Sequence, residues 1–224
     1  MGTHLLPPRR REDKPQRREQ IIDAAEIVFR RKGYAETNMG DIARQAKVSR
    51  PLLYVHFDNK QTLHFAICVR ALDLLRERFE AVAAPQPTGH AKLYAIGREY
   101  VAFAHQRPAY FSALSHLESH QQTELPTEGV EREMLNAGKA VHAVTIAAIE
   151  QGQQDGSVRS DLGEPVMAAL SLWSFCHGMI QVATSKPMVL ANMGVSPEQF
   201  TEASLKMALR GLAPGAGPHA GAAR

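Results

Sequence analysis

Cysteine is scarce in this sequence: Cys68 and Cys176 are the only two among 224 residues. They lie far apart and form no Cys-x-x-Cys pair, so neither a disulfide framework nor a thiolate zinc site is indicated. This usage is typical of a protein of the reducing cytoplasm. At 24.6 kDa the chain is long enough to bury a hydrophobic core without disulfide bonds.

Long uninterrupted hydrophobic runs are also missing. The N-terminal residues MGTHLLPPRRREDKPQRREQ lack the apolar core of a signal peptide. The most apolar stretch, Val166 to Ala183, is interrupted by two serines, a histidine and a glutamine, which a lipid-facing helix would have to hide. We therefore interpret it as a buried helix of a cytoplasmic protein and expect no membrane partner.

Signatures of enzymes are few. No phosphate loop, nucleophile elbow or paired-carboxylate motif occurs. His116 and His120 share a helix face in HLESH, and with Glu118 they could bind a metal ion. Because no third ligand stands at a recognisable spacing, we expect no catalytic site, no metal and no cofactor. A helical metal-dependent hydrolase built on this pair is kept as an alternative.

Charge is unevenly distributed along the chain. The formal net charge is +3, yet residues 1–60 hold 13 Lys and Arg against 8 Asp and Glu, a net of +5. The remainder is therefore slightly acidic. This asymmetry favours a polyanionic partner for the N-terminal part, although a basic solubilising tail would produce it equally well.

Helical periodicity dominates the rest, and no strand pattern of useful length appears. An apolar stripe that ends in three basic residues and Gly33 predicts a first helix from about Gln16 to Lys32. Asn38 and Asp41 have capping-box spacing and predict a short second helix that ends near Ala46.

A third helix is predicted to begin at Arg50. Ser49 can accept a hydrogen bond from a first-turn amide there, and Pro51 needs no amide partner in that turn. Two short helices joined by a tight turn are typical of a helix-turn-helix.

A long fourth helix is predicted to run to about Ala83. Asp58 and Asn59 can both cap it, and pairing with Gln61 favours Asp58. The fold class is all-α, with further helices predicted over Ala91 to Gln106, Pro108 to His120, Val130 to Gln151, Pro165 to Ser185 and Pro197 to Leu212.

Residues 21–63, IIDAAEIVFRRKGYAETNMGDIARQAKVSRPLLYVHFDNKQTL, resemble the N-terminal domain of the TetR family of bacterial transcriptional regulators. GQQDGSVRSDL and LWSFCHGM resemble, more weakly, the connection and dimer-forming helix of the family's C-terminal domain. The resemblance implies a three-helix DNA-binding domain over residues 16–62, joined through the fourth helix to an effector-binding and dimerisation domain over residues 63–212. Composition predicts a disordered basic arm over residues 1–15 and a disordered tail over 213–224.

Two residues depart from the family pattern. Lys47 stands where a turn glycine is usual, so either a positive φ costs about 1 kcal/mol there or the turn is built differently. Its amine could contact a phosphate. Pro51 replaces a small residue and offers an apolar ring to a thymine methyl.

Ten residues are predicted to contact DNA. Arg50 can read guanine from the first turn of the third helix or clamp a phosphate, and the others would contact phosphates or pack in the groove. The ten are Thr37, Asn38, Arg44, Lys47, Ser49, Arg50, Pro51, Tyr54, His56 and Lys60.

Alternatives stay open at several of these positions. Tyr54 could be a core residue with a wet hydroxyl, and Thr37 and Asn38 could be plain helix caps. The arm RRREDKPQRR could follow a minor groove or remain a solvated tail.

An effector pocket is implied in the second domain, for an apolar or aromatic small molecule. Its predicted residues are Tyr100, Phe103, Phe111, Met134, Trp173 and His177. A helical core has the same composition, so packing is the competing interpretation at each position.

The function that these features favour is a sequence-specific, DNA-binding transcriptional regulator. We expect a homodimeric repressor that binds double-stranded DNA at an inverted-repeat operator and is released by a small-molecule effector. A sequence-nonspecific architectural DNA binder is the main alternative.

Overall fold

The computed structural model describes residues 14–118 and 125–215. These residues form ten helices and no strand, which confirms the all-α prediction. The helices are α1 Lys14–Lys32, α2 Met39–Gln45, α3 Arg50–His56, α4 Lys60–Ala83, α5 Gly89–Gln106, α6 Pro108–Glu118, α7 Gly129–Asp155, α8 Pro165–Ser185, α9 Pro187–Asn192 and α10 Pro197–Leu212.

The chain divides into two compact units between Ile67 and Cys68, within α4. The boundary predicted from the sequence lies between residues 62 and 63. Helix α1 begins at Lys14, so the last residues of the predicted arm are helical. The remainder of the arm and nearly all of the predicted tail lie outside the described residues.

The first unit packs α1, α2 and α3 around a small apolar core. Ile21, Ile42 and Leu53 are each fully buried there, one on each helix. Lys32 Nζ donates to Asp41 Oδ2 at 2.8 Å and so joins the end of α1 to α2. Packing of three apolar stripes therefore fixes how the two short helices are held.

Local capping sets the ends of α2 and α3 as the sequence predicts. The Asp41 amide donates to Asn38 Oδ1 at 3.1 Å, and the Asn38 amide donates back to the Asp41 carboxylate at 3.4 Å. The Leu52 amide donates to Ser49 Oγ at 3.3 Å at the start of α3, where Pro51 occupies the first turn. Both caps satisfy amides that the helix itself leaves unpaired.

The turn between α2 and α3 places Lys47 in the left-handed region, at φ +56°. Its amide donates to the Arg44 carbonyl and the Val48 amide donates to the Ala43 carbonyl, at 3.3 and 3.0 Å. This is the Schellman arrangement that glycine usually completes. The turn is therefore built in the ordinary way, and Lys47 carries the backbone strain.

The cap of α4 differs from the prediction. The Thr62 amide donates to Asn59 Oδ1 at 2.9 Å, and the Asn59 amide donates to Thr62 Oγ1 at 3.3 Å. Asn59 is therefore the capping residue, and the preference for Asp58 with Gln61 is wrong. A reciprocal bond with the Thr62 hydroxyl replaces the one expected from Gln61.

In the second unit α7 packs against α5 and α8, and α10 packs against α8 and α5. Leu93, Phe103, Ile149, Ile180 and Leu205 are fully buried among these helices. The core of the second unit thus lies between α5, α7, α8 and α10.

The segment GQQDGSVRSDL comprises the last turn of α7 and part of the connection to α8, and it also holds the start of α5. The Gly89 amide donates to Asp155 Oδ2 at 2.8 Å, and the His90 amide donates to Ser157 Oγ at 3.1 Å. A Cβ on Gly89 would overlap the backbone of Gly152. Glycine at both positions therefore allows α5 and α7 to meet backbone to backbone.

Two further elements bear on the predictions. Helix α9 occupies the segment that the sequence assigned to a connection. Helix α8 is the one described helix that is long and apolar enough to cross a membrane, with a mean hydropathy of 1.4 over its most apolar window. Ala169, Cys176 and Ile180 on α8 are buried inside the second unit.

Candidate nucleic-acid interface and ligand cavity

Helix α3 buries Leu53 and leaves most of its other side chains in solvent. Tyr54 is 49% exposed and Val55 65% exposed, which is unusual for large apolar groups on a helix of seven residues. Tyr54 is therefore not a core residue. Val55 was not predicted to contact DNA. Its position next to Tyr54 on the predicted DNA-reading helix could have indicated such a contact.

Arg50 lies at the N-terminal end of this exposed face. Its guanidinium stands over the backbone of α2 at Gly40, so closely that a Cβ on Gly40 would overlap it. Arg50 is exposed, as is Pro51 beside it. The side chain is thus placed by contact with α2, although the residue as a whole remains exposed.

Cationic side chains lie near both ends of α3: Arg44 and Lys47 at its start, and at its end Arg18 of α1, whose guanidinium lies 5.2 Å from the centre of the Phe57 ring. Lys47 and Arg44 are exposed near its start, and Arg44 Nη1 also reaches Asp41 Oδ1 at 3.3 Å. At its end, burial lowers the pKa of His56, and the charges of Lys14 and Arg17 lower it further. His56 is therefore neutral at pH 7 and can offer a hydrogen bond but no charge.

Thr37 was predicted to contact DNA, and its placement argues against this. The residue is 3% exposed, and its hydroxyl donates to the Gly33 carbonyl at 2.7 Å. Its donor is thus used inside the unit, at the end of α1. Asn38 caps α2 through its side-chain oxygen and remains exposed.

Lys60 was also predicted to contact phosphate, and here it serves the fold. Its ammonium donates to the Tyr34 and Ala35 carbonyls at 2.7 and 3.2 Å and lies 4.3 Å from the centre of the Tyr34 ring. These contacts hold the loop between α1 and α2 against the start of α4.

Asp41 links the interface to the core. Hydrogen bonding from Lys32, then from the Asn38 amide, together with the charges of Lys32 and Arg44, lowers the pKa of this carboxyl against the opposing effect of its burial. The ionised form therefore stabilises the arrangement of α1 and α2 that presents Arg44.

The second unit contains a cavity of about 340 Å³ between α4, α5, α6, α7 and α8. Its wall is mostly apolar, and Cys176 on it has a thiol whose pKa burial raises to about 12. That thiol stays protonated and unreactive at neutral pH. The lining residues are Leu72, Leu75, Phe79, Ile96, Gly97, Tyr100, Leu114, Leu117, Met134, Leu135, Gly138, Lys139, Val141, His142, Thr145, Leu172, Trp173 and Cys176.

Three of the six predicted pocket residues, Tyr100, Met134 and Trp173, line this cavity. The other three do not. Phe103 is fully buried in the core, and Phe111 and His177 stack on each other with ring centres 5.0 Å apart. These positions support the wall from behind and belong to the packed interior.

His177 connects the side chains behind the wall to the cavity. The Tyr100 hydroxyl lies 2.8 Å from His177 Nδ1, and Ser115 Oγ lies 3.4 Å from Nε2. Burial lowers the pKa of His177, so the ring is neutral and can satisfy both hydroxyls.

Three polar residues on the wall were missed by the sequence analysis: Lys139, His142 and Thr145. They recur every three residues along α7, and that spacing was the available signal. One member of the alternative metal pair, His120, lies outside the described residues. Among residues 14–118 and 125–215 no group of three potential metal ligands occurs.

A helix-turn-helix whose second helix is exposed and flanked by cations, in a chain that also has a helical unit with an apolar cavity, defines the class of ligand-responsive DNA-binding regulators. Comparison with family models identifies the family within this class. Residues 21–67 match "Bacterial regulatory proteins, tetR family", and residues 93–208 match "Tetracyclin repressor-like, C-terminal domain". The chain belongs to the TetR family of bacterial regulatory proteins, which places it among regulators and not enzymes.

Curated relatives agree with this assignment. The chain is 41% identical over 75 residues to the HTH-type transcriptional regulator TtgR of Pseudomonas putida, a match that covers 34% of each chain. It is thus similar to about a third of that relative's length. It is 29% identical over 157 residues to the HTH-type transcriptional repressor KstR2 of Rhodococcus jostii, covering 66% of this chain and 71% of the relative.

Solved structures share the fold. A transcriptional regulator of the TetR/AcrR family from Thermobifida fusca aligns with a TM-score of 0.67 and 24% identity, over 88% of this chain and 98% of that one. The regulator FadR from Bacillus subtilis, solved in complex with stearoyl-CoA, aligns with a TM-score of 0.67 and 18% identity, over 87% and 98%.

Proposed function

We propose that this chain is a cytoplasmic transcriptional repressor that binds double-stranded DNA through α3. The observation that carries the proposal is the exposed face of that helix. Arg50, Pro51, Tyr54 and Val55 stand in solvent, and cations flank both ends. An exposed helix of this composition fits the major groove, where arginine reads guanine and apolar groups meet thymine methyls.

The remaining predicted contacts are assigned according to which charges or hydrogen-bonding groups of each side chain are available to DNA. Arg44 and Lys47 carry exposed charges and are assigned to phosphates, which position the helix without specifying sequence. Asn38 and His56 supply neutral hydrogen-bonding groups at the edges. Thr37 and Lys60 are left out because their donors already serve the fold.

The acting form is a homodimer, because one helix of seven residues reads too little sequence to specify an operator. Large apolar side chains are exposed on α8 and α10, where a monomer would leave them in water: Val166, Met167, Leu170, Val182 and Met207.

Sedimentation equilibrium of wild type, Leu170→Glu and the control Ile27→Glu tests whether these side chains form the dimer contact. Loss of the dimer in Leu170→Glu alone is expected, and an unchanged mass would place the contact elsewhere.

Release from DNA follows from a ligand in the cavity. Helix α4 contributes Leu72, Leu75 and Phe79 to the cavity wall and Leu63 to the buried core of the first unit. A ligand that favours one position of α4 would bias the helix that both units share. Its size and apolar wall suit a small apolar or aromatic effector.

Selection from random DNA duplexes at moderate salt tests the function. The full chain should enrich an inverted repeat whose half-sites lie about one helical turn, or a multiple of it, apart. Equal retention of all sequences would reject specific regulation and favour the architectural binder. Because phosphate contacts alone depend steeply on salt, the selection is repeated at two salt concentrations.

A further inference from the structure

The cavity wall is electrostatically one-sided. Among the described residues that line it, Lys139 is the single charged side chain, and no carboxylate is present. The other lining groups are apolar apart from a tyrosine hydroxyl, an imidazole, a threonine hydroxyl and a buried, protonated thiol. A cationic ligand would find no counter-charge on this wall, whereas an anionic one would.

Lys139 has no acidic or hydrogen-bonding partner within the described part of the chain, and it is exposed where it lines the cavity. It therefore stands at the solvent end of the wall, and residues 14–118 and 125–215 use none of its three donors. Exposed lysines without partners are ordinary on a protein surface, but this one borders an apolar cavity. Its ammonium can therefore pair with an anionic group of a ligand in the cavity.

Two more polar groups follow Lys139 along α7 into the interior. His142 is half-buried and touches the edge of Trp173, with ring centres 5.3 Å apart, and Thr145 is 8% exposed. Neither side chain makes a hydrogen bond to another described residue. The helix thus carries a line of unused hydrogen-bonding capacity from solvent to the buried end of the cavity.

We propose that the cavity binds an acidic small molecule with an apolar body, whose carboxylate pairs with Lys139 and whose body lies against the wall of α4, α5 and α8. His142 and Thr145 accept or donate hydrogen bonds to polar atoms further along the ligand. This inference rests on the proposed ligand-responsive function and specifies the class of its effector.

The protein carries its own reporter for the test. Trp173 is the only tryptophan in the chain and it lines the cavity, so its fluorescence responds to an occupant. The probes are straight-chain alkanoates from hexanoate to tetradecanoate, each paired with the alcohol of equal length. The pairs share a body and differ in the charge of the head.

Binding is measured for the full-length wild type, Lys139→Met, Lys139→Arg and the control Lys186→Met, an exposed lysine away from the cavity wall. Alkanoates should bind wild type more tightly than the matched alcohols. Lys139→Met should weaken alkanoate binding about three- to tenfold, the range for one partly solvated charged hydrogen bond, and leave alcohol binding unchanged. Lys139→Arg should restore the preference, and Lys186→Met should retain it.

Equal binding of acids and alcohols, or equal weakening of both by Lys139→Met, would overturn the acidic class and assign the cavity to neutral ligands. Failure of every alkanoate to change Trp173 fluorescence would also overturn it. None of these outcomes touches DNA selection, which tests the repressor function separately. Conversely, loss of specific DNA binding in that selection would reject the repressor and leave the fluorescence result intact.

Discussion

The guanidinium of Arg50 lies over Gly40, so that the first residue of α3 occupies the space where any amino acid other than glycine at position 40 would place its Cβ. Gly40 lies inside α2 with an ordinary helical backbone, so it has no conformational need to be glycine. What it provides is room. The pair therefore links a residue that costs helix stability to the placement of the side chain proposed to read DNA.

Gly40→Ala should raise the thermal stability of the first unit and lower its sequence-specific DNA affinity. Alanine favours the helix by roughly 0.5–1 kcal/mol, but its Cβ displaces the Arg50 guanidinium. Thermal denaturation and operator titration measure the two effects. The matched control is Gly211→Ala on α10, where a Cβ would meet nothing within 4 Å. Unchanged operator affinity in Gly40→Ala would show that Arg50 needs no such placement.

Lys47 combines backbone strain with an exposed charge, and two variants separate them. Lys47→Gly relieves the positive φ and should stabilise the protein by about 1 kcal/mol, whereas Lys47→Gln keeps the strain and should not. Both remove a cation, so both should reduce the salt dependence of DNA binding by about one phosphate contact. Chemical denaturation and titration at several salt concentrations give the readouts. Wild-type salt dependence in both would place Lys47 away from DNA.

Gly89→Ala should destabilise the second unit by about 1–3 kcal/mol or more, since its Cβ would overlap the backbone of Gly152, which cannot move aside as a side chain can. Gly178→Ala is the control, a helical glycine with nothing within 4 Å of an added Cβ. Denaturant unfolding of both variants compares them. Equal stability would mean that α5 and α7 can separate at no cost.

Asp41 should make the first unit acid-sensitive. Its pKa is lowered in the folded state, so its contribution is full above the unfolded pKa of about 4 and is lost as the pH falls through the lower folded value. The stability difference between wild type and Asp41→Asn should therefore shrink on acidification below about pH 4. Unfolding curves from neutral to strongly acidic pH measure this, and a constant difference would contradict the ion-paired role.

Local features of this chain were predictable because neighbouring residues determine them. Asn38 with Asp41, and Ser49 with Pro51, fix their helix starts within four residues, and both predictions are confirmed. At α4 two adjacent caps competed, and the reciprocal bond with Thr62 decided for Asn59. Helix α9 was missed because six residues are too few for a periodic pattern.

Features that depend on distant partners were not predictable. Lys60 is bound by carbonyls 25 and 26 residues earlier, so its sequence position alone suggested a free cation. The shared face of Lys139, His142 and Thr145 follows from helical spacing, but whether a face meets solvent, core or cavity depends on how α4, α5 and α8 pack around α7. For the same reason the sequence could not show that Trp173 lines the cavity whereas His177 lies behind its wall.

Helix α3 is proposed to read sequence through Arg50. Selection from random duplexes at physiological salt, run in parallel with wild type, Arg50→Ala and Arg44→Ala, tests it most directly. Wild type should select an inverted repeat, and Arg50→Ala should lose the preference at one symmetric pair of positions. Arg44→Ala should select the same repeat and bind it more weakly. Enrichment of no repeat by wild type, or of an unchanged repeat by Arg50→Ala, would contradict this proposal.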